Sequence, residues 1–133
     1  MRTRDVRLLI YHLRGWVIGM ATIKDVRDAL LTVGVPVYHF VAPEQKPSQF
    51  IIWGETSIDT VLDADDEPEI MRPRGIIYYY TSAEYDEVVG EIIDALMDAD
   101  VSFTVTNIGR DFDLRLIVYQ IDWSVDCGTG EIY

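Results

Sequence analysis

The sequence predicts an α+β fold, in which a mainly antiparallel sheet of about five strands carries two helices packed on one face. Two segments place apolar residues at helical spacing. Five other segments are rich in β-branched and aromatic residues. Short turns join most of these strands, which favours antiparallel pairing. The predicted order is α-β-β-β-α-β-β, with a further helix possible at the N-terminus.

The first helix is predicted over residues 22–33. Thr22, with Asp25 three residues later, resembles a capping box in which Asp replaces the usual Glu. Gly34 favours the end of the helix, and Pro36 prevents its continuation. The predicted apolar face consists of Ile23, Val26, Leu30 and Val33.

Three strands are predicted next, over residues 35–41, 50–53 and 70–81. The second is almost continuously apolar, which indicates a central strand covered on both faces. Residues 42–49 contain two prolines and are predicted to form a loop. Residues 56–69 are also predicted to form an exposed loop, because their second half contains five acidic residues and a proline.

The second helix is predicted over residues 83–97, with Thr81 or Ser82 as its cap. Gly90 lowers helix propensity, so close packing is expected at that position. The predicted buried stripe consists of Tyr85, Val88, Val89, Ile92, Leu96 and Met97.

The last two strands are predicted over residues 101–108 and 114–125. A hairpin turn at residues 109–113 joins them. With these strands, residues 21–133 are predicted to form a single domain.

Charge divides the chain into two parts. The 133 residues have a net charge of −12, but residues 1–20 contain four arginines and one aspartate, a net charge of +3. Residues 1–20 are therefore either a basic N-terminal arm or an over-called start ahead of Met20. The remaining net charge of −15 disfavours general binding to nucleic acid and favours solubility or a basic partner.

The residues that usually carry chemistry are sparse. Cys127 is the single cysteine, so no intrachain disulfide or cysteine zinc site is expected, and a reducing cytoplasm is favoured. No apolar run approaches the roughly 20 residues of a membrane span. The acidic run 63–69 lacks the spacing of a calcium-binding loop. No nucleophile elbow or phosphate loop is present, so no enzyme activity, metal or cofactor is expected.

Charged residues in the predicted loops at 56–69 and 109–113 and near them are candidate subunit or partner contacts. The isolated cations either form ordinary surface ion pairs or meet the acidic loop of a neighbouring subunit. Complementary patches on one chain permit head-to-tail association, which closes into a ring when the rotation allows it. The candidates are Asp63, Asp65, Asp66, Glu67, Arg72, Arg74, Arg110 and Asp111. Charge reversal at Asp65 and Asp66 is expected to impair assembly while the monomer stays folded.

Short motifs and the element order carry a resemblance to a known family. The motifs are Tyr38-His39-Phe40, Ala42-Pro43-Glu44, the segment from Phe50 to Glu55, Val101-Ser102-Phe103 and Asp122-Trp123. Together with the order of helices and strands, they resemble the tail-completion, or tail terminator, proteins of tailed bacteriophages and prophages. The resemblance spans about residues 20–125.

This resemblance implies a structural virion protein, without enzyme activity or cofactor. Members cap the tail tube and join it to the head connector, typically as six-fold rings, so the partners are other copies, the tail tube protein and connector proteins. DNA passes through the channel without specific binding, and an acidic lumen suits that passage. The expected location is the tail or neck of the virion, and the host cytoplasm during assembly. Neighbouring head–tail joining proteins are similar, so that assignment stays open.

Two functions from other classes also stay open. An acidic protein-binding domain, for instance a DNA mimic that inhibits a basic partner, fits the net charge. A small-molecule enzyme of this fold class requires a polar pocket around His39, Trp53 and Glu55.

Overall fold

The computed structural model describes residues 20–61, 70–128 and 130–133, and it confirms the predicted fold class. Its helices are α1 (Ile23–Leu31) and α2 (Val88–Asp98). The strands in the described part of the chain are β1 (Val37–His39), β2 (Gln49–Val61), β3 (Ile70–Thr81), β4 (Ser102–Asp111), β5 (Leu116–Ser124) and β6 (Cys127–Gly128).

The strands form one sheet in the order β1-β2-β3-β5-β4, and β6 pairs with the beginning of β3. All pairs are antiparallel except β1 with β2, which run parallel. A parallel pair needs a connection that returns the chain to its starting end. Residues 40–48 make that connection here, so the expectation of a mainly antiparallel sheet is confirmed with one parallel pair at its edge.

One face of the sheet forms the core with both helices. Successive side chains of a strand point to opposite faces, so every second residue of the central strands is buried here. The core side chains of the sheet are Ile51, Trp53, Ile77, Tyr79, Ile121 and Trp123, and those of the helices include Val26, Leu30, Ile92 and Leu96. Each fully buried aliphatic side chain stabilises the fold by about 1.5–3 kcal/mol.

The predicted start of α1 is confirmed in detail. The Thr22 hydroxyl accepts a hydrogen bond from the Asp25 amide, and the Asp25 carboxylate accepts one from the Thr22 amide at 2.8 Å. These reciprocal bonds satisfy two amides that the helix itself leaves unpaired. Gly34 follows the helix with a φ of +88°, a conformation that glycine adopts without strain.

The predicted start of α2 is wrong, because the helix begins at Val88 and not near Ala83. The Thr81 hydroxyl accepts a hydrogen bond from the Ala83 amide, and the Asp86 carboxylate accepts one from the Val88 amide. These local bonds hold the preceding residues in turns. Tyr85 consequently lies outside the helix with 94% of its surface exposed, and the expectation that it is buried is wrong. Met97 is also exposed, contrary to the predicted stripe.

Gly90 does not mark a close contact, contrary to the sequence prediction. A Cβ atom added there would have no neighbour within 4 Å. Because glycine costs about 0.5–1 kcal/mol relative to alanine inside a helix, Gly90→Ala is expected to raise the free energy of unfolding by about that amount. Urea denaturation measures this change, and a destabilised variant would contradict the open surroundings of Gly90.

Several predicted boundaries move because strand pairing extends the strands. Residues 56–61 belong to β2, and residues 57–61 pair with residues 70–74 of β3, so the prediction of a loop there is wrong. Residues 109–111 belong to β4, and the hairpin turn lies at residues 112–115. The first strand is shorter than predicted, and the sequence analysis missed β6. The predicted N-terminal arm or helix, apart from Met20, lies outside the described residues. The acidic run 63–69 also lies outside them.

Candidate assembly surface

The predicted contact residues that the structure describes lie at two ends of the sheet. Arg72 and Arg74 belong to the first half of β3, whereas Arg110 and Asp111 end β4 beside the hairpin turn. Arg110 pairs with Ile117 of β5, and Ile117 in turn pairs with Thr81 at the end of β3. Arg110 therefore lies at the end of the sheet opposite to Arg72 and Arg74. The other four candidates, Asp63, Asp65, Asp66 and Glu67, lie outside the described residues.

Arg72 and Arg74 have acidic partners within the same chain. The Arg72 guanidinium donates a hydrogen bond to Asp126 at 2.7 Å, and this bond raises the pKa of Arg72. Arg74 forms an ion pair with Asp59 across the β2–β3 ladder at 3.1 Å. Both pairs are partly exposed, so each contributes at most about 1 kcal/mol. These two cations therefore form the ordinary surface ion pairs that were one of the two expectations for them.

Arg110 lies beside a surface cavity at the hairpin end of the molecule. The cavity has a volume of about 350 Å³, and its lining includes Ser82, Glu84, Phe112 and Arg115. Within the described residues, Arg110 and Arg115 form no ion pair. Phe112 exposes most of its ring to solvent. This end of the sheet thus presents cations and an exposed aromatic ring together.

Among the described residues, β4 pairs with β5 alone, so it forms an edge of the sheet along its whole length. Its residues from Thr104 to Ile108 are all exposed, and Ile108 has 60% of its surface accessible to solvent. An edge strand presents unpaired amide and carbonyl groups, which makes it a natural site for pairing with another chain. Sequence reasoning missed this surface, because spacing within a strand does not say which strands become its neighbours.

The second free edge belongs to β2. Strand β1 pairs with β2 only from Ile51 to Trp53, so in the described part of the chain no strand covers the outer side of Thr56 to Thr60. Ile58 lies in this stretch and has 40% of its surface exposed. Among the described strands, the sheet therefore has an open edge on each side.

The residues of the enzyme hypothesis lie together where β1 meets β2. His39 stacks between the rings of Phe40 and Trp53, with ring centroids 4.2 and 4.3 Å away. His39 Nε2 lies 2.5 Å from Glu55 Oε1. Phe40 has a φ of +68°, and its ring covers Gly54, where a Cβ atom would lie 2.5 Å from it. These contacts fasten the short β1 to β2.

A second polar cluster surrounds Asp86. The Asp86 carboxylate accepts hydrogen bonds from the Tyr79 hydroxyl at 2.5 Å, the Thr81 hydroxyl at 2.6 Å and the Gln49 amide at 3.0 Å. Its other oxygen accepts a hydrogen bond from the Val88 amide at 2.9 Å. Burial alone would raise the pKa of Asp86, but these hydrogen bonds outweigh it and the pKa lies below its ordinary value. The cluster joins the start of α2 to β2 and β3.

The described residues contain no group of three or more His, Cys, Asp or Glu side chains placed to hold a metal ion. No helix among them is long and apolar enough to cross a membrane.

Comparison with known proteins identifies a shared fold. A chain from the virion of a native gene transfer agent (GTA) particle superposes with a TM-score of 0.52, and the match covers 81% of this chain and 92% of that chain. The two sequences are 14% identical, so the likeness shows the fold alone. The chain matches no protein-family model and no curated protein.

Proposed function

We propose that this chain is a structural protein of a phage-like particle, which acts by assembly and not by catalysis. The observation that carries the proposal is the fold shared with a chain from a GTA virion over most of both chains. The motifs between Tyr38 and Glu55, which resemble those of tail-completion proteins, support the same class of function. The two open edges of the sheet supply surfaces for association.

The specific role proposed is that of a tail terminator, or of the neighbouring head–tail joining protein. In this role, copies of the chain form a ring that caps the tail tube and contacts the head connector. The net charge of −12 supports a position around the path of DNA, since an acidic channel repels the phosphate backbone.

The proposal predicts that purified particles contain the chain and need it for assembly. Quantitative mass spectrometry of particles is expected to find a small fixed number of copies per particle, as a closed ring requires. Deleting the gene is expected to leave tails and heads unjoined in electron micrographs, and expression of the full chain is expected to restore joining. Complete particles that lack the chain would overturn the proposal.

The acidic run provides a second test. Asp65→Lys with Asp66→Lys is expected to reduce the yield of joined particles at least tenfold, because the change reverses two charges at a proposed contact. The control is Glu87→Lys with Glu91→Lys, which reverses two exposed charges at the start of α2. Unchanged circular dichroism must show that both proteins fold. Equal yields of joined particles from the two variants would show that the acidic run is not part of the contact.

The acidic binding domain makes a different prediction. It requires a complex with a DNA-binding protein that weakens steeply as salt rises. It also predicts that the chain is missing from particles. Particle composition therefore separates the two functions.

A further inference from the structure

We infer that β4 of one copy pairs with the free edge of β2 in the next copy, so that the sheet continues from subunit to subunit. This inference rests on the proposed ring and names the surfaces through which its subunits meet. It uses the two open edges of the sheet, which lie on opposite sides of the molecule.

The free segments match in length. The β4–β5 ladder shifts register between Val105 and Asn107, and the β2–β3 ladder shifts between Glu55 and Ser57. Each bulge leaves five residues in regular register, at 107–111 on β4 and 57–61 on β2. Neither segment contains Lys or Pro, residues with which proteins commonly protect an open edge.

The strand directions suit a cyclic arrangement. Strand β4 is antiparallel to β5, β5 to β3, and β3 to β2, so β4 runs antiparallel to β2 of its own chain. Copies related by rotation about an axis along the strands keep these directions. The β4 strand of one copy then meets the neighbouring β2 in the antiparallel orientation, which is the pairing used within the sheet. The two edges differ, so the contact is heterologous, and it forms a ring when the rotation between copies allows closure.

The exposed apolar residues of the two edges lie on the same face. Ile108 pairs with Tyr119, and Ile58 pairs with Pro73, both on the face that carries the helices. A continuous sheet therefore places Ile108 and Ile58 on one side of the subunit boundary, where each covers apolar surface that the single chain exposes.

Charge also favours this pairing. Arg110 forms no ion pair among the described residues, whereas Asp111 accepts a hydrogen bond from the Leu114 amide of its own turn. The facing edge of β2 carries Glu55, which lies on the same face as Arg110 and contacts His39. Asp59 lies on the opposite face and pairs with Arg74 of its own chain. The pairing thus brings a cation without an ionic partner to an acidic edge.

Cysteine cross-linking tests the pairing directly. Purified Ile58→Cys protein is mixed with Ile108→Cys protein under mild oxidation, and a disulfide-linked heterodimer is expected. The double variant is expected to give a ladder that ends at a discrete oligomer. Native Cys127 is 2% exposed, and burial raises its pKa to about 11, so it does not compete. Leu31→Cys in α1 is the control partner for Ile108→Cys, since its exposure of 57% matches the 60% of Ile108.

Association without cross-linking provides a second readout. Ile108→Lys is expected to raise the dissociation constant of the oligomer by about tenfold or more, because it places a charge in an apolar contact. Leu31→Lys is expected to leave it unchanged. Sedimentation velocity over a concentration series measures both.

Two results would overturn the inference. One is cross-linking between two copies of Ile108→Cys without the 58–108 product, which indicates two-fold pairing of β4 with β4. The other is a monomer at all concentrations with no 58–108 product. A 58–108 product from a chain that is absent from particles leaves the pairing in place and overturns only the proposed function.

Discussion

Replacing Gly75 with alanine is expected to lower the free energy of unfolding by more than about 3 kcal/mol, beyond the usual cost of an overpacked core. Gly75 lies in β3 between β2 and β5, where it pairs with Glu55 and Trp123. A Cβ atom there would lie 1.9 Å from the Gly54 carbonyl oxygen and 2.7 Å from Trp123 Cζ2. The carbonyl belongs to the backbone of β2, so relief requires the β2–β3 ladder to shift.

Guanidinium denaturation followed by tryptophan fluorescence measures this loss. Gly90→Ala is the matched control, since the same atom is added where nothing lies within 4 Å. Trp123→Ala removes the indole contact but leaves the carbonyl contact, so it is not expected to rescue Gly75→Ala. A Gly75→Ala protein within about 0.5 kcal/mol of wild type would contradict the close approach of β2 and β3 at this position.

Replacing Asp86 with alanine is expected to cost about 3 kcal/mol. The change removes the acceptor of two hydroxyl groups, on Tyr79 and Thr81, that the core buries completely. A buried donor left without a partner costs about 1–3 kcal/mol. The Val88 amide also loses its acceptor at the start of α2. Thermal and chemical denaturation at neutral pH measure the total.

The Asp86 cluster also predicts a dependence on pH. Hydrogen bonds to the Asp86 carboxylate lower its pKa in the folded protein below its ordinary value, so the unfolded chain binds the proton more readily. The stabilisation by Asp86 is therefore fully present above the unfolded pKa and is lost as pH falls through the folded pKa. Between about pH 6 and about pH 2, wild type should lose more stability than Asp86→Asn. Parallel loss in both proteins would exclude Asp86 as a source of acid sensitivity.

The first helix shows how well local chemistry is predicted. Its capping box and apolar stripe occupy neighbouring turns, so their interactions depend on residues within about four positions. The start of α2 depends on distant residues as well. Asp86 is held by Gln49, which lies 37 positions earlier in the chain, and nothing in the local pattern reveals that bond.

The candidate contacts show the same division. Arg72 and Arg74 stand out in an acidic sequence, but their partners depend on strand pairing, which brings Asp126 within 2.7 Å of an arginine 54 positions away. The loop prediction for residues 56–61 failed because polar residues on an edge strand resemble those of a loop. The acidic run 63–69 stays a prediction from the sequence.

Composition and periodicity alone were sufficient to predict the α+β class, most of the apolar residues that the helices bury and the acidic balance of residues 21–133. These properties follow from composition and from side-chain periods of 3.6 and 2, which backbone geometry imposes within each element. The strand order, the contact of Gly75 with Gly54 and the open edges at β4 and β2 became visible only in the three-dimensional structure. These features arise from pairing between distant segments, whose free energy depends on all the strands at once.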